Sequence, residues 1–183
     1  KLNSTLNDVY CATSGHTFGG STSGQTYMPG FTPSITGGAY KSSSSSPGIN
    51  YSESTTPIFD NIKGTTLEFV FYLDTQVTSN QYKVLFSKYW GESLAVFLNA
   101  NGSGGNNLGF QIDYTNYWMF NGADLQPGNW HHVVVEWGAK DNKLTAYING
   151  TKYQSSASYT YSSNHWNDNT QYTLGAADGV TLD

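Results

Sequence analysis

Hydrophobic and polar positions alternate most clearly between Gly128 and Tyr153. From Trp130 to Trp137 the chain reads WHHVVVEW, and Glu136 is the one charged residue. Successive side chains of a strand point to opposite faces. Glu136 therefore assigns Trp130, His132, Val134 and Glu136 to the wetter face. His131, Val133, Val135 and Trp137 then point toward a core. Residues 138–142 (GAKDN) read as a polar turn. Lys143 to Ile148 reads as the next strand, with Leu144, Ala146 and Ile148 on one face. Asn149-Gly150 tolerates the positive φ angles of a tight hairpin. Thr151 to Gln154 begins the return strand.

The same period of two recurs upstream. Leu67, Phe69, Phe71 and Leu73 alternate with Glu68, Val70, Tyr72 and Asp74, which predicts a half-buried strand. Tyr82 to Tyr89 and Ser93 to Asn99 follow, the second with Leu94, Val96 and Leu98 on one side. A Gly/Asn loop, Asn99 to Asn107, leads to a strand carrying Leu108, Phe110, Ile112 and Tyr114. Tyr117 to Phe120 is a short aromatic strand. Ser155 to Asn169 reads as a polar loop, and Tyr172 to Leu174 as the last clear strand. No stretch of ten residues carries a helical stripe. Short strands with Asn/Gly turns predict an all-β, two-sheet antiparallel sandwich.

Residues 1–56 are different. They are rich in Gly, Ser and Thr, with scattered apolar residues and a serine run at 42–46. They read as an irregular N-terminal extension partly packed on a sandwich formed by residues 57–183. So long a segment without structure is unusual inside a compact domain. Short strands are therefore expected near Leu2 to Tyr10, Ala39 to Lys41 and Gly48 to Tyr51.

Composition narrows the class. Only 11% of residues are charged, against about 25% in ordinary soluble domains. Hydroxyls and amides solvate the surface instead, which suits an extracellular or cell-surface β protein. The net charge of −5 offers no basic footprint for nucleic acid. No apolar run is long enough to insert into a membrane as a helix. Cys11 is the only cysteine, so it is either a buried thiol or a candidate for a disulfide to another chain.

The strand Trp-His-His-Val-Val-Val-x-Trp, a short polar turn and Leu-x-Ala-Tyr-Ile-Asn-Gly together resemble the central hairpins of laminin-G-like and pentraxin-like domains. These are concanavalin A-like jelly rolls. The resemblance is strongest over residues 128–153 and looser over about 65–175. It implies a concanavalin A-like sandwich. The fold alone does not choose among sugar binding, adhesion, hydrolysis and architecture. The resemblance also implies calcium as a candidate ligand at one rim, with Asp60, Asn61, Asp178 and Asp183 as candidate donors.

Hydrolysis on this fold needs paired carboxylates, commonly spaced Glu-x-Asp-x-x-Glu. Glu53, Glu68, Glu92 and Glu136 are instead isolated, so no catalysis is expected. His131 and His132 face opposite sides of one strand and cannot share a metal there; a structural role suits them. Aromatic residues, 15% of the chain, are the stronger lead. Tyr114, Asn116, Tyr117 and Trp118 combine rings with an amide, the mixture that stacks on a sugar and bonds its hydroxyls. Asn3, Asn50, Asn101 and Asn149 are N-glycosylation sequons, about as many as this composition yields by chance.

Two functions remain open from sequence. One is a structural or adhesive module of a surface layer, extracellular fibre or larger secreted protein, whose partners are copies of itself or other extracellular proteins. The other is a lectin-like module that binds glycans. The first is slightly favoured. After Leu174 little sequence remains for a closing strand. The sandwich is therefore expected to be a fragment, to fill that slot with its own N-terminal region, or to accept a strand from a neighbour. A neighbour's strand, with residues 2–10 as donor and Cys11 securing the joint, would build a filament.

Overall fold

The computed structural model describes residues 17–18, 26–28, 39–41, 49–52, 64–78, 82–88, 94–99, 106–112, 116–121, 125–138, 141–159, 172–175 and 180–182. The described residues hold fourteen strands and no helix. In chain order they are β1 (Thr17–Phe18), β2 (Thr26–Met28), β3 (Ala39–Lys41), β4 (Ile49–Ser52), β5 (Thr65–Leu73), β6 (Tyr82–Lys88) and β7 (Ala95–Asn99). Then come β8 (Asn107–Gln111), β9 (Tyr117–Phe120), β10 (Asn129–Trp137), β11 (Lys143–Ile148), β12 (Thr151–Ser158), β13 (Tyr172–Leu174) and β14 (Val180–Leu182).

They form two antiparallel sheets. Sheet A has the order β1-β4-β13-β6-β7-β8-β9, and sheet B the order β12-β11-β10-β5-β14-β3-β2. The parity that Glu136 marks is observed. Val133 and Val135 are fully buried, and His131 and Trp137 nearly so. Val133, Val135 and Trp137 meet Phe71, Leu73, Leu144, Ala146 and Ile148 of sheet B and Leu85, Val96, Leu98, Phe110 and Phe120 of sheet A in one cluster. Burying each such side chain contributes about 1.5–3 kcal/mol.

Local chemistry sets the register of the central meander. Asn149 and Gly150 both have positive φ, 49° and 84°, as a type I′ turn between β11 and β12 requires. The Asn149 side chain closes the turn twice. Its Oδ1 accepts from the His132 N–H at 3.0 Å, and its Nδ2 donates to His131 Nδ1 at 3.1 Å. His131 Nδ1 is therefore the acceptor of a neutral ring, and Nε2 donates to the Gln126 carbonyl at 2.8 Å.

Two expectations are corrected. The polar loop expected from Ser155 begins later, because β12 runs to Ser158. A register shift lets the Ser155 hydroxyl accept from the Leu144 N–H, so a polar sequence still pairs. The closing strand is present: β14 lies between β5 and β3. The slot that motivated strand donation is thus filled within the chain, and the filament argument loses its premise. Of the short strands expected in residues 1–56, those near Ala39 to Lys41 and Gly48 to Tyr51 are β3 and β4, β1 and β2 lie there too, and the one near Leu2 to Tyr10 lies outside the described residues. Of these, β4 pairs with β13 and β3 with β14.

Candidate functional site

The outward face of sheet A is built from three rows that cross its strands, because residues paired across a ladder share a face. The first row is Tyr82, Asn99 and Asn107, on β6, β7 and β8. The second is Val84, Phe97, Gly109 and Met119, on β6 to β9. The third is Ser87, Ala95, Gln111 and Tyr117, with Thr173 of β13 beside Ser87. A bulge in β6 makes this pattern possible. It turns both Leu85 and Phe86 into the interior and returns Ser87 to the outside.

The middle row is a closed floor. Val84, Ala95 and Phe97 form a small apolar cluster of their own, with Met119 against it. Gly109 is needed there: a Cβ would overlap the Phe97 ring and come within 2.9 Å of Met119 Sδ. The Phe97 ring thus lies across β8. Tyr82 meets it edge-on, with centroids 5.5 Å apart and planes at 63°.

Two corners of this face are open. Tyr82 is 47% exposed and Tyr117 is 53% exposed, and they are the large hydrophobic residues exposed among those described. Asn99 and Asn107 are half-buried next to Tyr82. Strands lie about 4.8 Å apart, so this ring and its two amides span about 10 Å. Tyr117 lies three strands and two rows away, about 20 Å from Tyr82 by the same spacing. The hairpin carrying Asn99 and Asn107 is anchored by its neighbour. Buried Asn106 accepts from the Val77 N–H and donates to the Leu125 carbonyl, each at 2.7 Å.

The outward face of sheet B has a different chemistry. Glu68 Oε1 lies 2.7 Å from His132 Nε2, Trp130 packs edge-on against Tyr72, and the Lys152 ammonium sits 6.0 Å from the Tyr147 ring. The described carboxylates, Glu68, Asp74, Glu136 and Asp141, belong to strands of sheet B, their ends or their turns. Among the described residues no three His, Cys, Asp or Glu side chains come together as a metal site.

A laminin G-type family model, described as the concanavalin A-like lectin/glucanases superfamily, matches residues 42–182. The chain belongs to this superfamily. Solved structures with the same fold include domain 4 of AbnA, an extracellular arabinanase of Geobacillus stearothermophilus, in complex with arabinotriose. That likeness has a TM-score of 0.56 and 15% identity, over 90% of this chain and 75% of that one. Botulinum neurotoxin type C, whose cell entry depends on two ganglioside molecules, matches with a TM-score of 0.55 at 11% identity, over 91% of this chain and 40% of that one. Tailspike protein 2 of the Escherichia coli O157:H7 bacteriophage CAB120 matches with 0.55 at 16% identity, over 91% and 24%. This concanavalin A-like chain thus spans less than half of the toxin chain and about a quarter of the tailspike. A sequence search of curated proteins found no match.

The sandwich divides the platform expected at residues 114–118. Tyr117 faces outward, but Trp118 pairs with Phe110 and packs against the interior. Asn116 is half-buried, and its backbone carbonyl accepts from the Ile112 N–H. Asn149, one of the sequons, has its amide engaged by both histidines. Tyr114, Asp60, Asn61, Asp178, Asp183, Asn3, Asn101 and Cys11 lie outside the described residues, and Asn50 falls in β4. Tyr82, Asn99 and Asn107 were missed from sequence. Their one local signal is the pair of asparagines that closes a Gly-rich hairpin.

Proposed function

We propose that this protein is a non-catalytic carbohydrate-recognition module that works outside the cell or at its surface. The observation that carries the reading is the first row of sheet A: an exposed ring, Tyr82, beside the amides of Asn99 and Asn107. A sugar offers an apolar C–H face to a ring and hydroxyls to amides, so this row matches both. The ring is held by its contact with Phe97, which lowers the ordering cost of binding. Tyr117 supplies a second contact point on the same face.

Hydrolysis is left out on chemical grounds. It needs two carboxylates flanking the scissile bond, and no described residue of the three rows is acidic. Two structural relatives, the arabinanase domain and the neurotoxin, are described with sugar-containing ligands, which supports the reading. An adhesive role follows from the same surface, since a module that holds a glycan attaches whatever carries it to a sugar-coated matrix. The test is a glycan array and polysaccharide retention assay, run in calcium and in chelator. Retention that falls about tenfold in Tyr82→Ala, with an unchanged melting temperature, is expected. Absence of retention on every glycan in both buffers overturns the proposal.

A further inference from the structure

We infer that the glycan held by the Tyr82–Asn99–Asn107 row is uncharged, and that this face discriminates against acidic sugars. This rests on the sugar-binding reading above. Acidic sugars, whether uronates, sulfated sugars or sialic acids, present a carboxylate or sulfate. Proteins meet those groups with cations, above all with the bidentate fork of arginine. This sequence contains no arginine, and its eight basic residues are all lysines.

None of the described lysines belongs to the row. Lys83 adjoins Tyr82, but its Nζ turns the other way to the Thr75 carbonyl and hydroxyl, at 3.0 and 2.9 Å. Lys88 is fully buried. Lys41, Lys143 and Lys152 belong to β3, β11 and β12 of sheet B. The three rows of sheet A carry no charge of either sign among the described residues, and with Ser87 and Gln111 buried the half-exposed amides are those of Asn99 and Asn107. The net charge of −5 adds a mild repulsion of polyanions. Primary amides suit the opposite kind of ligand. Each supplies two donors and an acceptor, and so satisfies neighbouring neutral hydroxyls without a counter-charge.

The experiment compares two polymer panels on the full chain, at low and at high salt. Arabinan, galactan, mannan and β-glucan form the neutral panel; polygalacturonate, hyaluronan and a sialylated oligosaccharide form the acidic one. The expected result is retention by at least one neutral polymer, insensitive to salt, with acidic ligands bound about tenfold more weakly or less. Tyr82→Ala lowers that retention about tenfold, Tyr82→Phe preserves it, and Asn107→Arg gains an acidic ligand with salt-sensitive binding. Equal or stronger binding of an acidic ligand by the unaltered protein, falling as salt rises, overturns the neutral assignment and leaves sugar binding standing. Retention that neither Tyr82→Ala nor Asn107→Arg changes also overturns it, because the site then lies elsewhere. Failure of both panels removes the sugar-binding reading itself.

Discussion

Tyr117 and Trp118 are adjacent in sequence and point to opposite sides of sheet A: the tyrosine is exposed and the tryptophan packs on the core. Their alanine variants should therefore separate. Trp118→Ala is expected to cost about 2–4 kcal/mol, since it leaves a cavity against the interior cluster. Tyr117→Ala should stay within about 0.5 kcal/mol of the unaltered protein, as exposed substitutions do, while weakening glycan retention. Chemical denaturation of the two variants reads the difference. Equal destabilisation would mean that the strand is rotated.

Gly109 serves both stability and the site. Gly109→Ala forces the Phe97 ring and Met119 aside. An overpacked position of this kind costs about 1–3 kcal/mol. Because Phe97 also buttresses Tyr82, retention should fall along with the melting temperature. A stable variant with unchanged binding would show that the ring has room to move.

Val135 is fully buried on β10. Val135→Asp puts an unpaired carboxylate into the shared core and should cost about 4 kcal/mol or more. An unaltered thermal transition would contradict the assigned face of the strand.

Tyr159 links the two sheets by donating its hydroxyl to the Tyr117 carbonyl at 3.2 Å. Burial, helped by the neighbouring Tyr117, raises its pKa above the ordinary tyrosine value near 10. A raised folded-state pKa means that the folded form holds the proton longer than the unfolded one. The stability this contributes is complete below about pH 10 and is lost as the pH climbs through the folded pKa. Tyr159→Phe should therefore flatten the alkaline limb of the stability profile, measured against the unaltered protein. Parallel profiles would remove Tyr159 from the effect.

Asn149 combines a positive φ with two side-chain hydrogen bonds to the histidine pair. Asn149→Gly keeps the backbone conformation and loses only the bonds, for about 1–2 kcal/mol. Asn149→Ala loses both and should cost roughly 1 kcal/mol more. Amide exchange in β11 and β12 should accelerate in the same order. The reverse order would mean that the turn is not held by these contacts.

The faces of the long strands were legible in the sequence because those strands carry a period of two. Glu136 alone fixed the faces of β10, and Asn149-Gly150 located the hairpin. β14 was not legible because Val180 and Leu182 follow a stretch of Gly, Ala and Asp with no flanking pattern; its identity comes from its partners on β5 and β3. β1 and β2 escaped as pairings of two and three residues inside Gly-, Ser- and Thr-rich sequence. The candidate site was misjudged through a local rule. Clustering of rings along the chain drew attention to residues 114–118, and alternation then sends consecutive rings to opposite sides. Tyr82, Asn99 and Asn107 become neighbours only through register, which no single stretch of sequence displays.

The position of the late strands constrains how the molecule is made. Among the described strands, β1 and β4 join sheet A through β13, and β2 and β3 join sheet B through β14. β1 with β4 and β2 with β3 can pair as soon as they are made, but β13 and β14, which tie them to the rest of each sheet, are synthesised last. The ladders β6 to β9 and β10 to β12 connect near neighbours and can close early. The N-terminal strands must wait for pairings such as Lys41 with Thr181, whose distance along the chain makes them slow to find. The glycine-, serine- and threonine-rich character of the opening segment then takes on a second meaning. A stretch that stays undocked from both sheets until late in synthesis is safer from premature association when it is polar and poor in continuous apolar runs.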